Sequence, residues 1–226
     1  MFRIFKEFYL IENFPKGYSW YKKIFSNIGF FFSRIIITPR KNKLTKKDLF
    51  KANLLLRKGD IILCGEHETV FSHIIGDTVN HTVIYVGKRR FVEAIGKGVC
   101  YVSFYKLFTL YHHLVILRSI KGTKRKIIRK IVKIAKQKVG LPYNYDFKKG
   151  DHYFCSELAN EVYKEAGYKT GLQSISPGRT PKRKLQSMVT NAANALRPVR
   201  IIEGNFRVIF LSHELKLKGK KLVLKK

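Results

Sequence analysis

Phe154-Cys155-Ser156-Glu157-Leu158-Ala159-Asn160-Glu161-Val162-Tyr163-Lys164-Glu165-Ala166-Gly167 is the stretch on which the fold turns. Leu158, Ala159, Val162, Tyr163 and Ala166 form one apolar stripe at helical spacing, and Gly167 ends it. Cys155 therefore stands where a helix begins. A helix N-terminus presents free N–H groups and partial positive charge, which favour a thiolate over a thiol. The same N–H groups suit an oxyanion formed on an attacked carbonyl. The plainer alternative for Cys155 is a buried structural thiol.

Upstream of this helix the chain reads as strands. Gly59-Asp60-Ile61-Ile62-Leu63-Cys64 enters a strand through a Gly-Asp turn. His81-Thr82-Val83-Ile84-Tyr85-Val86 is a run rich in β-branched residues that ends at Gly87, and Phe91-Val92-Glu93-Ala94-Ile95 follows. Val99 to Phe104 and Leu114 to Arg118 complete the series. Around Thr123 the period changes: Ile127, Ile128, Ile131, Ala135 and Val139 repeat at helical spacing, and Gly140-Leu141-Pro142 stops that helix. The order is a sheet first, then a helix opened by a cysteine, which gives an α+β fold with an antiparallel sheet preceding the cysteine-bearing helix.

A thiol nucleophile needs a base near it in space, not in sequence. His81 opens a buried-looking strand. A lone strand histidine is usually a satisfied core residue, but Glu93 changes the weighting. Its strand is otherwise apolar, so an acid in the middle needs a partner. His81 and Glu93 both lie six residues from Gly87. A hairpin centred on Gly87 with an odd-length loop sets the two opposite each other on one face. The carboxylate would then fix the tautomer and orientation of the imidazole. A two-residue loop at Lys88-Arg89 would instead pair Glu93 with Ile84 and separate them.

These pieces resemble the permuted branch of the NlpC/P60 papain-like superfamily, in which the histidine-bearing strands precede the cysteine helix. The matching segments are Leu56-Arg57-Lys58-Gly59-Asp60-Ile61-Ile62, Asn80 to Gly87, Phe91-Val92-Glu93-Ala94, Gly140 to Phe147 and Tyr153 to Leu158. The chain is similar to YiiX/YebB-type hydrolases and, more distantly, to lecithin retinol acyltransferases. The resemblance implies a circularly permuted papain-like fold and a catalytic set of Cys155, His81 and Glu93. It implies a tyrosine at the oxyanion site, with Tyr143 the best match and Tyr145 its competitor. Ser156, beside the nucleophile in the motif, is grouped with them as an oxyanion or substrate residue. Gly59-Asp60 recurs in the family and is read as setting the start of the strand, not as catalytic.

The implied substrate holds an amide or ester bond, in a peptide, a cell-wall fragment or a lipid. No cofactor or metal is implied. Lipid acyl transfer by the same three residues is the alternative enzymatic reading. A zinc site shared by Cys64-x-x-His67 and His152-x-x-Cys155 is a minor competitor, because neither pair has the turn glycines of a zinc knuckle.

The 226 residues carry a formal net charge of +31 and are 45% apolar. Such a field favours an anionic membrane or polymer surface, or nucleic acid without specific recognition. Lysines spread along nearly the whole chain equally suit ordinary solvated faces. Three cysteines argue against a disulfide framework. Residues 1–50 read as a basic, aromatic N-terminal extension, and 51–226 as the catalytic domain with a basic tail. The start of the chain lacks the pattern of a signal peptide, so the expected location is cytoplasmic or peripheral at a membrane. Ile28 to Ile37 is apolar but too short to span a bilayer. It reads either as a surface anchor or as a helix packed on the domain.

Overall fold

The computed structural model describes residues 10–14, 16–37, 43–120, 122–143, 154–172 and 196–225. Six antiparallel strands form one sheet: β1 (Ile61–Gly65), β2 (His81–Gly87), β3 (Arg90–Ile95), β4 (Gly98–Ser103), β5 (His113–Ser119) and β6 (Phe206–Leu211), in the order β4-β3-β2-β1-β5-β6. Helices α1 (Trp20–Ser33), α2 (Lys46–Leu55), α3 (Val70–Ile75), α4 (Phe104–Leu110), α5 (Arg125–Gln137) and α6 (Cys155–Glu165) surround it. The sheet-then-cysteine-helix order and the mixed antiparallel architecture agree with the sequence.

The sheet buries both faces. Alternation along β2 and β3 sends Ile84, Val92 and Ala94 to one side, where they meet Ile131 and Ala135 of α5 and Leu158, Ala159 and Val162 of α6. It sends Val83 and Phe91 to the other, against Phe104, Leu107 and Phe108 of α4. Between its isoleucines α5 carries lysine and arginine, so only one stripe is buried and the basic residues face water. Tyr163 of α6, wholly buried, donates its hydroxyl to the carbonyl of Gly59 and so locks α6 to the start of β1. Beside it the Asp60 carboxylate accepts from Arg118 Nε at 2.7 Å and Nη2 at 2.8 Å and from the Arg57 N–H at 2.8 Å. Asp60 thus organises the opening of β1, as the sequence suggested.

Three local features differ from expectation. Residues 104–110 form a helix, where the sequence pattern ended a strand at Phe104 and gave no element beyond it. The basic tail folds into a hairpin, β7 (Leu215–Lys218) with β8 (Lys221–Leu224), whose Leu215 and Leu222 are buried. The third is the β2–β3 turn. It is the two-residue loop Lys88-Arg89, with both residues at φ 53°, the mirror-image turn that suits strand twist.

Candidate active site

Cys64 of β1 pairs with His81 of β2, so His81 sits at the end of the sheet where β1 finishes and β2 begins. The Asn80 N–H donates to the Cys64 carbonyl at 2.9 Å, and its side-chain amide donates to the Glu66 carbonyl at 3.0 Å. These two bonds fix the backbone just before His81.

Glu93 is opposite Val83, not opposite His81. The expected odd-length loop is absent. A bulge between Tyr85 and Gly87 supplies the missing residue instead. Without it the tight loop would have paired Glu93 with Ile84 and sent the carboxylate to the other face. With it, Glu93 is the diagonal neighbour of His81 on the same face, a separation that long side chains bridge. His81 Nε2 and Glu93 Oε2 are 2.7 Å apart, and both residues are buried. Tyr111, just past α4, stacks on the imidazole with ring centroids 5.6 Å apart and planes within 8° of parallel.

Cys155 begins α6 and lies close enough to the His81 ring to act on its protonation. Burial alone would depress the imidazole pKa. Hydrogen bonding and negative charge from Cys155 and Glu93 outweigh it and raise the pKa from 6.5 to about 10. Phe154 occupies the N-cap position and brings no side-chain oxygen to the first turn of α6. Cys155 is half-buried and Cys64 wholly buried. Burial, followed by the charges of Glu93 and Cys155, pushes the Cys64 thiol well up, which suits an inert core cysteine. Cys100 is half-buried in β4, opposite Glu93.

The remaining sequence-selected residues divide. Tyr143 is half-buried and packs against the core shared by the sheet, α5 and α6. Tyr145 and His152 lie outside the described residues. Ser156 requires a correction. Its side chain is fully buried and its hydroxyl donates to the Leu196 carbonyl, so the hydroxyl ties α6 to a distant segment and is not presented to a ligand. Tyr111 was not anticipated. The only sequence signal for it is a tyrosine directly before a paired histidine, Tyr111-His112-His113.

Among the described residues, no group of three or more His, Cys, Asp or Glu side chains is placed to hold a metal ion. The proposed pairing of Cys64-x-x-His67 with His152-x-x-Cys155 has one member outside those residues. Its Cys64 sits in the buried row of β1.

Residues 55–193 match the family described as permuted papain-like amidase enzyme, YaeF/YiiX, C92 family. The chain belongs to this family. Among solved structures it is similar to the metalloprotein YiiX from Escherichia coli O157:H7, with 20% sequence identity and a TM-score of 0.58 over 69% of this chain and 97% of that one. That likeness bears on the fold alone. No curated protein matches the sequence. Membership establishes a permuted papain-like hydrolase of the amidase and peptidase kind, which acts on amide-containing substrates.

Proposed function

We propose that this member of the family is a cysteine hydrolase in which Cys155 is the nucleophile, His81 its base and Glu93 the group that orients the base. The observation that carries the reading is the buried His81–Glu93 contact at 2.7 Å, with Cys155 near enough to help raise the pKa of the ring. Glu93 engages Nε2, so Nδ1 is the nitrogen left for the thiol. An imidazole held this strongly in its protonated form favours a thiolate–imidazolium pair.

The thiolate attacks an amide or ester carbonyl and forms a C–S bond. N–H groups of the first turn of α6 stabilise the oxyanion, helped by Tyr143 or Tyr145. His81 protonates the departing amine or alcohol as the C–N or C–O bond breaks. Water, deprotonated by His81, then cleaves the thioester and restores the thiol. YiiX is a metalloprotein; among the described residues of this chain no group of three or more His, Cys, Asp or Glu is placed to hold a metal ion, and no step here runs through one.

Labelling with a thiol-directed acyl probe tests the assignment. Wild type is expected to label at Cys155, Cys155→Ala not at all, and His81→Ala roughly 10²–10⁴-fold more slowly. Equal labelling of Cys64 or Cys100 would overturn it. The exposed aromatic side chains of α1 favour one second reading, transfer of the acyl group between lipids. Lipid products in place of free amine would distinguish it.

A further inference from the structure

Helix α1 is turned inside out. At about 100° per residue, Trp20, Tyr21, Ile24, Phe25, Ile28 and Phe32 fall within an arc of about 140°, and all six are exposed, Trp20 by 73% and Phe25 by 70%. No residue of the helix is buried. The polar side chains point the other way. Asn27 accepts from the Ile11 N–H at 2.7 Å and donates to the Ile11 carbonyl at 3.2 Å. Single exposed apolar residues are ordinary on a protein surface, whereas six in one contiguous band mark a contact site.

Both ends of α1 are tied to the core. Asn13 donates to the Gly140 carbonyl at 3.1 Å. Ile36 bridges to Thr69, and the Ile37 N–H donates to the Glu68 carbonyl at 2.9 Å. Residues 66–69 follow the end of β1. Val99, the second residue of β4 after the β3–β4 turn, donates to the Leu141 carbonyl at 2.8 Å beside the Asn13 anchor. Strand directions put the end of β1 and the β3–β4 turn at the same end of the sheet as His81. The outward apolar face is therefore held at the end of the domain that carries Cys155, His81 and Glu93.

We propose that α1 docks this protein on the surface of an anionic lipid bilayer. The helix holds Lys22 and Lys23, both exposed, and no acidic residue, within a chain of net charge +31. An aromatic and aliphatic face edged by lysines matches the boundary between acyl chains and negative head groups. With 14 residues, α1 is about 21 Å long, too short to cross. It lies in the interface plane. The docking stands on α1 alone. It deepens the catalytic reading by bringing the site to substrates that reside at a membrane.

Trp20 is the sole tryptophan, so its emission reports on this face alone. The full chain is mixed with vesicles of phosphatidylcholine, or of phosphatidylcholine and phosphatidylglycerol at three to one. The expected result is flotation with the anionic vesicles and a blue shift of Trp20, both weakened by salt. Phe25→Ser with Phe32→Ser, which touches only exposed positions, is expected to cut binding roughly tenfold or more. Its melting temperature and Cys155 labelling should stay unchanged. Absence of flotation would overturn the proposal. So would flotation without a Trp20 shift, or a Trp20 shift in buffer that tracks a concentration-dependent dimer. Loss of thiol labelling in a protein that still binds vesicles would end the catalytic reading and leave the docking intact.

Discussion

Glu93 faces Val83 across the β2–β3 ladder, yet its carboxylate reaches diagonally to hold His81 Nε2 at 2.7 Å. The reach depends on the bulge between Tyr85 and Gly87, which restores the face that a two-residue loop would have exchanged. Glu93→Gln keeps the shape of the side chain and removes its charge. It is expected to slow acyl-probe labelling roughly 10- to 100-fold, the cost of losing a group that orients another. Protein stability should fall as well at neutral pH and below, because Glu93 is one of the groups that favour protonated His81 in the fold. Labelling rates against pH check it: the variant profile should shift to lower pH, because one of the two groups that raise the His81 pKa has been neutralised. An unshifted profile would reduce Glu93 to a packing role.

The same raised pKa makes stability depend on pH. His81 goes from 6.5 in the unfolded chain to about 10 in the fold, against the opposing effect of burial. A base bound more tightly to its proton in the native state stabilises that state fully below pH 6.5. Its contribution declines as pH rises and is gone above about 10. Melting temperature should therefore fall across this window. In Glu93→Gln the fall should begin at the same pH, set by the unfolded chain, but be smaller and end at lower pH. Melting curves for both proteins from neutral to alkaline pH measure the difference, which cancels the titration of groups the two share.

Much of this site was legible in the residues themselves. An acid inside an apolar strand calls for a partner, and that alone points from Glu93 to the histidine of the neighbouring strand. The stripe from Leu158 to Ala166 put Cys155 at a helix start. The register was not legible. Lys88 and Arg89 both adopt left-handed φ without glycine or asparagine, so the turn carries no sequence signature. A bulge leaves none either when the extra residue is as apolar as its neighbours. Tyr111 escaped because its partner is a ring far away in sequence. The β7–β8 hairpin escaped because its lysines resembled a tail. Yet Leu215-Lys216-Leu217-Lys218 alternates with period two before Gly219, and its inward leucines are what the hairpin buries.

Asp60 gives a prediction about stability that leaves the chemistry aside. It is almost fully buried, and burial raises its pKa while Arg118 and Arg57 pull the other way. Arg118→Met would leave that carboxylate without its forked partner. Breaking a buried pair from one side costs about 3–5 kcal/mol. Asp60→Asn in the same Arg118→Met background should recover part of the loss, since a neutral amide is cheaper to bury. Urea unfolding of the single and double variants reads the effect. Cys155 labelling per folded molecule should remain near wild type in all of them, because the hydrogen bonds of Asp60 go to Arg57 and Arg118 and not to Cys155, His81 or Glu93.

Gly65 closes β1 one residue beyond the partner of His81, and the loop that leads into β2 crosses directly over it. A Cβ at this position would lie 2.1 Å from the Thr78 carbonyl oxygen, far inside contact distance. The obstacle is backbone, so no rotamer change relieves it, and the loop just before Asn80 and His81 must move. Gly65→Ala is expected to destabilise the fold by about 1–3 kcal/mol, the range for overpacking. It should also slow acyl-probe labelling more than a general loss of stability explains, because a small displacement of a catalytic base is costly in rate. Gly29→Ala, in α1 with nothing within 4 Å of the added carbon, is the control and should be neutral or slightly stabilising. Labelling rates at a temperature where both variants are fully folded separate misplacement from unfolding. A Gly65→Ala protein that labels at the wild-type rate there would mean that the loop yields without moving His81.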